Sequence, residues 1–296
     1  MRTDTSKNQQ TQIPDTPNQG KKSILITGCS SGIGRDAAET LTRRGWHVIA
    51  ACRKPEDCKR LHDSTGLQTV LIDYEKPETI DTGFQEAMTL TTGRLDALFN
   101  NGAYAIPGAV EDLPTAALRT IFEANFFGWH HLTQLALGVM RPQNAGRIIQ
   151  NSSVLGFAGL RYRGAYNATK FALEGLSDTM RLELRGTGLN IILIEPGPIR
   201  TRIRENSWPH FQKWIKVENS PYQRVYERAL IPRLTAINPP ADQFELMPDA
   251  VTASLIHALE APNPRPRYRI TWATTFMMIA KRLLPTRWMD HVASRY

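Results

Sequence analysis

The sequence predicts an α/β fold built on one doubly wound parallel sheet, with helices on both faces. Three observations predict it. Short apolar runs alternate with longer helical stretches along the chain. The runs do not alternate apolar with polar, as befits strands covered on both faces. A glycine-rich turn, Thr27-Gly28-Cys29-Ser30-Ser31-Gly32-Ile33-Gly34, joins the first run to the first helical stretch.

The elements follow in order. Ser23–Thr27 is the first strand, and the helix after it carries Ala37, Ala38 and Leu41 on one face before Gly45. His47–Cys52 is the second strand, which completes a βαβ unit. A third strand is expected over 70–73, then a helix over 77–92 with Pro77 in its first turn. A strand over 95–100, a long helical pattern within 114–140, and a strand over 147–151 come next. A second long helix over 166–185 ends at Gly186, and a strand over 190–194 follows. Helix Pro248–Glu260 and a strand over 267–272 close the pattern. Right-handed crossovers make such a series doubly wound, a single Rossmann-type sheet.

Between 202 and 245 the alternation breaks. Trp208, Phe211, Trp214, Tyr222, Tyr226 and Phe244 stand there among prolines and charges. This stretch is expected to be a helical lid over the strand C-termini, where such folds bind ligands. The domain then spans 21–273. Residues 1–20 have almost nothing to bury and read as a disordered tail; residues 274–296 read as a basic helical extension.

Composition limits the function classes. The tail lacks the apolar segment of a secretory signal, and no apolar run is long enough to span a bilayer. Cys29, Cys52 and Cys58 form no even-numbered framework and lack zinc-ligand spacing, so no metal is expected, and a cytoplasmic location is. The net charge is +8, and from Pro262 onward seven Lys/Arg face one acid, Asp290. That tail, with Phe276, Met277, Ile279, Leu283 and Leu284 among Lys281, Arg282 and Arg287, can make weak peripheral contact with an anionic membrane, or pack on its own domain or a dimer mate. No nucleic-acid motif accompanies the charge, and no nucleic-acid partner is expected.

The glycine turn lets the backbone approach a pyrophosphate, and the following helix offers free N–H groups and its positive dipole end. The end of the second strand then selects the dinucleotide. NAD enzymes usually place an acid there; here Cys52 is followed by Arg53, whose planar fork suits a 2′-phosphate. NADP(H) is therefore favoured over NAD(H). Asp73 can accept from an adenine amine or cap the next helix.

Tyr166 and Lys170, at i and i+4, share one helix face. An ammonium close to a phenol is expected to favour the phenolate and bring the tyrosine toward general acid–base duty. Ser153, at the end of the fifth strand, can hydrogen-bond a substrate oxygen; Ser152 beside it points the other way.

Together these motifs resemble the short-chain dehydrogenase/reductase family over most of the chain, and the turn and extended C-terminal region resemble its steroid- and retinol-dehydrogenase-like members. The resemblance rests on Thr27-Gly28-x-x-x-Gly32-Ile33-Gly34, Ser153 with Tyr166-x-x-x-Lys170, Asn125 in Asn125-Phe126-Phe127-Gly128, and Pro196-Gly197 followed by Thr201. It implies that Tyr166 exchanges a proton with the substrate oxygen, Lys170 binds the nicotinamide ribose, Ser153 orients the oxygen and Asn125 holds a relay water. It implies a cofactor lined by Gly28, Ser30, Ser31, Gly32, Ile33 and Gly34, with Asn100, Asn101 and Gly102 supporting the adenosine side. Pro196, Gly197, Ile199 and Thr201 would meet the nicotinamide end. Asn100-Asn101-Gly102-Ala103 departs from the family's usual Asn-Asn-Ala-Gly, though both final positions stay small. Position 31 is Ser where some NADP-binding members carry a basic residue, which leaves phosphate recognition to Arg53. The expected activity interconverts an alcohol and a ketone or aldehyde on a small hydrophobic molecule, in a homodimer or homotetramer paired through the two long helices. The competing expectation is a catalytically silent NADP(H)-binding sensor or scaffold, whose mark would be loss of Asn125, Ser153, Tyr166 or Lys170; all four are present.

Overall fold

A computed structural model describes residues 20–237 and 240–294. The expected disordered tail, but for Gly20, lies outside the described residues. Seven strands form one all-parallel sheet in the order β3-β2-β1-β4-β5-β6-β7: β1 Ser23–Thr27, β2 His47–Cys52, β3 Gln68–Leu71, β4 Ala97–Asn100, β5 Gly146–Asn151, β6 Leu189–Glu195 and β7 Arg267–Arg269. The order reverses between β1 and β4, where Ile24, Leu25 and Ile26 pair with Ala97, Leu98 and Phe99. Their diverging crossovers open a crevice at the carboxyl ends, the place where doubly wound sheets bind ligands.

Alternate residues along each strand feed two cores. Ile24, Ile26, Val48, Ala50, Ala97 and Phe99 pack under the helices α1 (Gly32–Arg43) and α10 (Pro248–Glu260). Leu25, Ile49, Ala51, Leu98 and Ile148 pack on the other face, with Ile80 and Phe84 of α3 (Pro77–Leu90) and Trp129 and Leu132 of α5 (Gly128–Gln143). Period-two side-chain direction sorts the residues between the faces.

Several elements differ from the sequence reading. Helix α2 (Pro55–Thr65) follows β2, which the sequence reading left without an element. It shows one buried residue, Leu61, so its apolar periodicity is faint. Strand three lies two residues earlier than expected, which leaves Ile72 and Asp73 beyond β3, and strand seven is shorter, with Ile270 to Trp272 beyond β7. The long pattern within 114–140 divides into α4 (Thr115–Phe122), a π-helical turn (Glu123–Phe127) and α5. The helix that holds Tyr166, α6, begins earlier, at Gly164–Glu183.

The 202–245 stretch forms α7 (Ile203–Trp214), α8 (Gln223–Val225), a second π-helical turn (Tyr226–Leu230) and α9 (Ile231–Thr235). Its rings mostly pack on one another. Phe211 and Tyr226 are buried, Trp208 stacks on Phe211 with centroids 5.8 Å apart, and Tyr162, Tyr222 and Tyr226 meet edge-on or tilted. The Ala109 amide donates to the Tyr226 hydroxyl at 2.9 Å, and that hydroxyl also bonds Asp112. These aromatics are therefore largely the insertion's own core.

The C-terminal extension holds α11 (Trp272–Leu283) and α12 (Thr286–Ala293). Lys281 ties α11 down by donating to the Phe157 carbonyl and lying 4.5 Å from the Phe171 ring centroid. Trp272, Phe276, Ile279, Leu283 and Trp288 remain exposed. Among the described residues, no helix is long and apolar enough to cross a membrane.

Candidate active site

The turn after β1 needs glycine at three positions for different reasons. Gly28 and Gly32 have φ of +69° and +57°, in the left-handed region. A Cβ on Gly28 would also sit 2.8 Å from the Gly102 Cα, and one on Gly34 would sit 2.4 Å from the Gly28 carbonyl oxygen. Helix α1 then starts behind Ser31, with no side-chain cap and no acid in its first turn. Its first amides are thus left for an anion. These features fit a dinucleotide pyrophosphate. Ser30, Ser31 and Ile33 are partly accessible along this turn.

The opposite wall is fastened to the same turn. The amides of Asn101 and Gly102 donate to the Thr27 Oγ1 at 2.9 and 3.2 Å, and Asn101 Nδ2 donates to the Thr27 carbonyl at 3.0 Å. Asn151 Nδ2 donates to Asn101 Oδ1 at 2.8 Å. Asn100 is fully buried, and its side chain bonds Tyr74, Thr133 and Gln150. It braces the wall from behind and does not reach the crevice. Asp73 accepts from the Glu75 amide at 3.2 Å in the turn before α3; it does not cap that helix, which starts behind Lys76 with no side-chain cap.

Arg53 follows β2 exposed, with no hydrogen bond or ion pair to its side chain among the described residues. Its charge reaches Tyr104 and His210, whose rings stack 3.8 Å apart at 4°. Burial first, then Arg53 and Lys213, hold His210 down at about 4. This stack lays α7 against the segment after β4. On the far side, Pro196 accepts from the Val154 amide at 2.9 Å, Ile199 bridges to Leu246, and Thr201 packs where a Gly32 side chain would go, 3.1 Å away. Gly197 leaves room for the Thr271 hydroxyl, which a Cβ would approach to 2.3 Å.

The polar set gathers where β5, α6 and the first π-helical turn converge. Ser153 lies two residues past β5 and caps a short 3-10 turn, accepting from the Leu155 amide at 3.1 Å. That bond uses a lone pair and leaves its O–H free to donate. Ser152 is buried, and a Cβ on Gly156 would lie 2.7 Å from its Oγ, on the side of Glu174. Lys170 Nζ donates to the Asn151 carbonyl at 2.8 Å, lies 4.1 Å from the Trp129 ring centroid and 5.5 Å from the Tyr166 ring centroid. Asn125 sits within the π-helical turn and exchanges hydrogen bonds with the Tyr104 backbone, accepting at 3.3 Å and donating at 2.9 Å. Such π-bulges often occur at functional sites.

The electrostatics depart from the sequence expectation. Burial pushes the Tyr166 hydroxyl up, opposed by Arg163; Lys170 is not among the charges that lower it. Burial pulls Lys170 down to about 7, opposed by Glu174, so its charge is partly lost at neutral pH. In this arrangement the desolvated site outweighs the cation expected to favour the phenolate. The sequence reading also passed over Trp129, Tyr104, His210 and Arg163. Trp129 stands four residues after Asn125 and Arg163 three before Tyr166, spacings that share a helix face.

The short chain dehydrogenase family matches residues 22–211. An uncharacterized oxidoreductase, YbbO, of Escherichia coli (strain K12) is 42% identical over 272 residues, covering 92% of this chain and 94% of that protein. Retinol dehydrogenase 7 of Mus musculus is 30% identical, covering 91% of this chain and 86% of its own. A short-chain dehydrogenase structure from Streptomyces avermitilis superposes with a TM-score of 0.73 at 27% identity, over 93% of this chain and 98% of that one. Two further structures share the fold at 22% identity: a serine dehydrogenase complexed with NADP+ (TM-score 0.69, covering 85% of this chain and 95% of that one) and a Burkholderia phymatum enzyme in complex with NAD (TM-score 0.73, covering 89% and 92%). The chain belongs to the short-chain dehydrogenase/reductase family. It is an NAD(P)-dependent oxidoreductase.

Proposed function

We propose that the protein interconverts a secondary alcohol and a ketone, or a primary alcohol and an aldehyde, on a hydrophobic small molecule, with NADP(H) as cofactor. The observation that carries this reading is the convergence of Ser153, Tyr166, Lys170 and Asn125 beside the glycine turn. A bound nicotinamide would supply or accept the hydride. Tyr166 gives a proton to the substrate oxygen during reduction and takes one during oxidation. Its neutral form, favoured by burial, is the one a reductase starts from. Ser153 donates its free O–H to the same oxygen and steadies charge developing there. Lys170 would hold the ribose of the bound cofactor, and Asn125 would hold the water that relays protons to it.

Arg53 supports NADP(H): it is an exposed guanidinium without a protein partner among the described residues, at the end of β2. The hydrophobic substrate class rests on the retinol dehydrogenase relative, because the insertion's rings are largely spent on its own packing. The exposed Phe127 of the first π-helical turn, with Phe171 and Leu182 of α6, supports pairing of two copies through the 114–140 stretch and α6. The exposed apolar and basic residues of α11 and α12 support weak contact with anionic lipid. The test of the cofactor reading is calorimetric titration of NADPH and NADH into the wild-type protein and Arg53→Ala. Tight NADPH binding that weakens in the variant, with NADH unchanged, is expected. Equal NADPH affinity in both proteins would overturn it.

A further inference from the structure

Arg163 caps the N-terminus of α6, where burial, Arg233 and Arg204 disfavour its charge more than Asp242 and Tyr166 favour it. N-caps are ordinarily short polar residues, and the positive end of a helix dipole disfavours a guanidinium. The first turn of α6 holds no acid. Arg163 is only partly exposed, and its guanidinium has no hydrogen bond or ion pair among the described residues. Two more arginines of the insertion, Arg204 on α7 and Arg233 on α9, are close enough to repel it. The nearby acid, Asp242, is already engaged by both: Arg233 binds it at 2.7 and 2.8 Å, and Arg204 bonds the same carboxylate. Glu245 pairs with Arg200 at 3.3 Å and lies 3.9 Å from Arg204.

The backbone ties this unpaired cation to the candidate site. Gly108 pairs with Arg163 in a parallel bridge, and its amide donates to the Tyr162 carbonyl at 3.0 Å. A Cβ on Gly108 would lie 2.7 Å from Ile215, just past α7. Arg163 therefore stands where α6 meets the insertion, three residues before Tyr166, and the two side chains act on each other electrostatically. Burial and the two neighbouring guanidiniums lower it to about 10, so it stays cationic at neutral pH. A partly desolvated cation whose nearby acid, Asp242, is shared with two other arginines costs stability unless a ligand supplies a further anion. Local choices that oppose stability tend to mark functional positions.

We infer that Arg163 is a specificity-determining residue that binds an oxyanion, a carboxylate or similar acidic group, carried by the substrate a few bonds from its reacting carbon. The substrate class then narrows to apolar molecules with an acidic end. The inference rests on the alcohol–ketone reading above only for the word substrate; an anion site beside Tyr166 is testable by binding alone.

The experiment titrates the NADPH-bound enzyme with decanoate and, separately, with decanol, in wild type, Arg163→Gln and Arg163→Lys. Decanoate should bind the wild type and weaken with added salt. Arg163→Gln should weaken it by roughly ten-fold or more while leaving decanol unchanged, and Arg163→Lys should retain part of the affinity. Melting of each variant shows whether the cap alone is affected. Absent decanoate binding, decanoate affinity unchanged in Arg163→Gln, or an equal loss for decanol would overturn the inference. NADPH oxidation with methyl octyl ketone, run in parallel, separates the two claims. Arg163-dependent decanoate binding without Tyr166-dependent ketone reduction would keep the anion site and sink the activity; the reverse would sink the anion site alone.

Discussion

Lys170 Nζ lies 4.1 Å from the centroid of the Trp129 ring. The ammonium faces an aromatic surface on one side and donates to the Asn151 carbonyl at 2.8 Å. Trp129 in turn donates from Nε1 to the Gly102 carbonyl at 2.8 Å. One buried ring thus links Lys170 to the wall beside the glycine turn. Trp129→Leu is expected to cost about 2–4 kcal/mol in unfolding free energy through lost volume and the lost indole bond. Trp129→Phe should cost less, because it keeps a ring face for Lys170. Denaturant unfolding of both variants checks the order; equal losses would show that the ring face contributes nothing.

The desolvated state of Lys170 gives a stability signature. Its folded pKa, about 7, is below the unfolded value near 10.5. Below pH 7 both states hold the proton and the burial penalty is fully present. Between 7 and 10.5 the unfolded state binds more protons, so stability from this group rises with pH. Relative to Lys170→Met, the wild-type apoprotein should therefore gain stability across that window. A difference between the two proteins that stays flat with pH would contradict the depressed value.

Gly34→Ala sets a methyl 2.4 Å from the Gly28 carbonyl oxygen. Backbone must shift, at a cost of about 1–3 kcal/mol, and the turn that holds the dinucleotide shifts with it. Gly186→Ala is the control: its φ is +83°, but no atom lies within 4 Å of the added carbon. It should cost about 1–3 kcal/mol through backbone strain alone and leave NADPH binding unchanged. Equal losses of NADPH affinity in the two variants would separate the turn from the cofactor.

Arg267 binds Glu174, Glu195 and Asp178 at once, across α6, β6 and β7. Glu195 is fully buried, and burial pushes its carboxyl up against the pull of Arg267. Arg267→Ala should destabilise the fold by about 3–5 kcal/mol, since it strands buried carboxylates. Adding Glu195→Gln should recover part of the loss. A mild effect of the single variant would mean water reaches the cluster.

The sheet was readable because β1, β2, β4 and β6 each carry at least three consecutive apolar residues, and the glycine turn because its glycines serve both conformation and close approach. Helix α2 escaped notice because, of its eleven residues, only Leu61 is buried. The break at Glu123–Phe127 is invisible to periodicity, since a π-helical turn adds one residue without changing composition. The number of aromatics in the insertion does not by itself divide them between packing and substrate contact. Their mutual packing depends on contacts such as Tyr226 with Asp112 and Ala109, which lie more than a hundred residues apart in the chain. For the same reason spacing placed Lys170 beside Tyr166 but could not weigh its charge against burial.

The most direct test is NADPH oxidation by wild type and Tyr166→Phe, followed by loss of nicotinamide absorbance with methyl octyl ketone, retinal and androstenedione as probes. The account predicts turnover by the wild type on at least one probe. It predicts a fall of about a hundred-fold or more in the variant, with NADPH affinity and melting temperature near wild type. Near-normal turnover by Tyr166→Phe on a probe that the wild type reduces would contradict it.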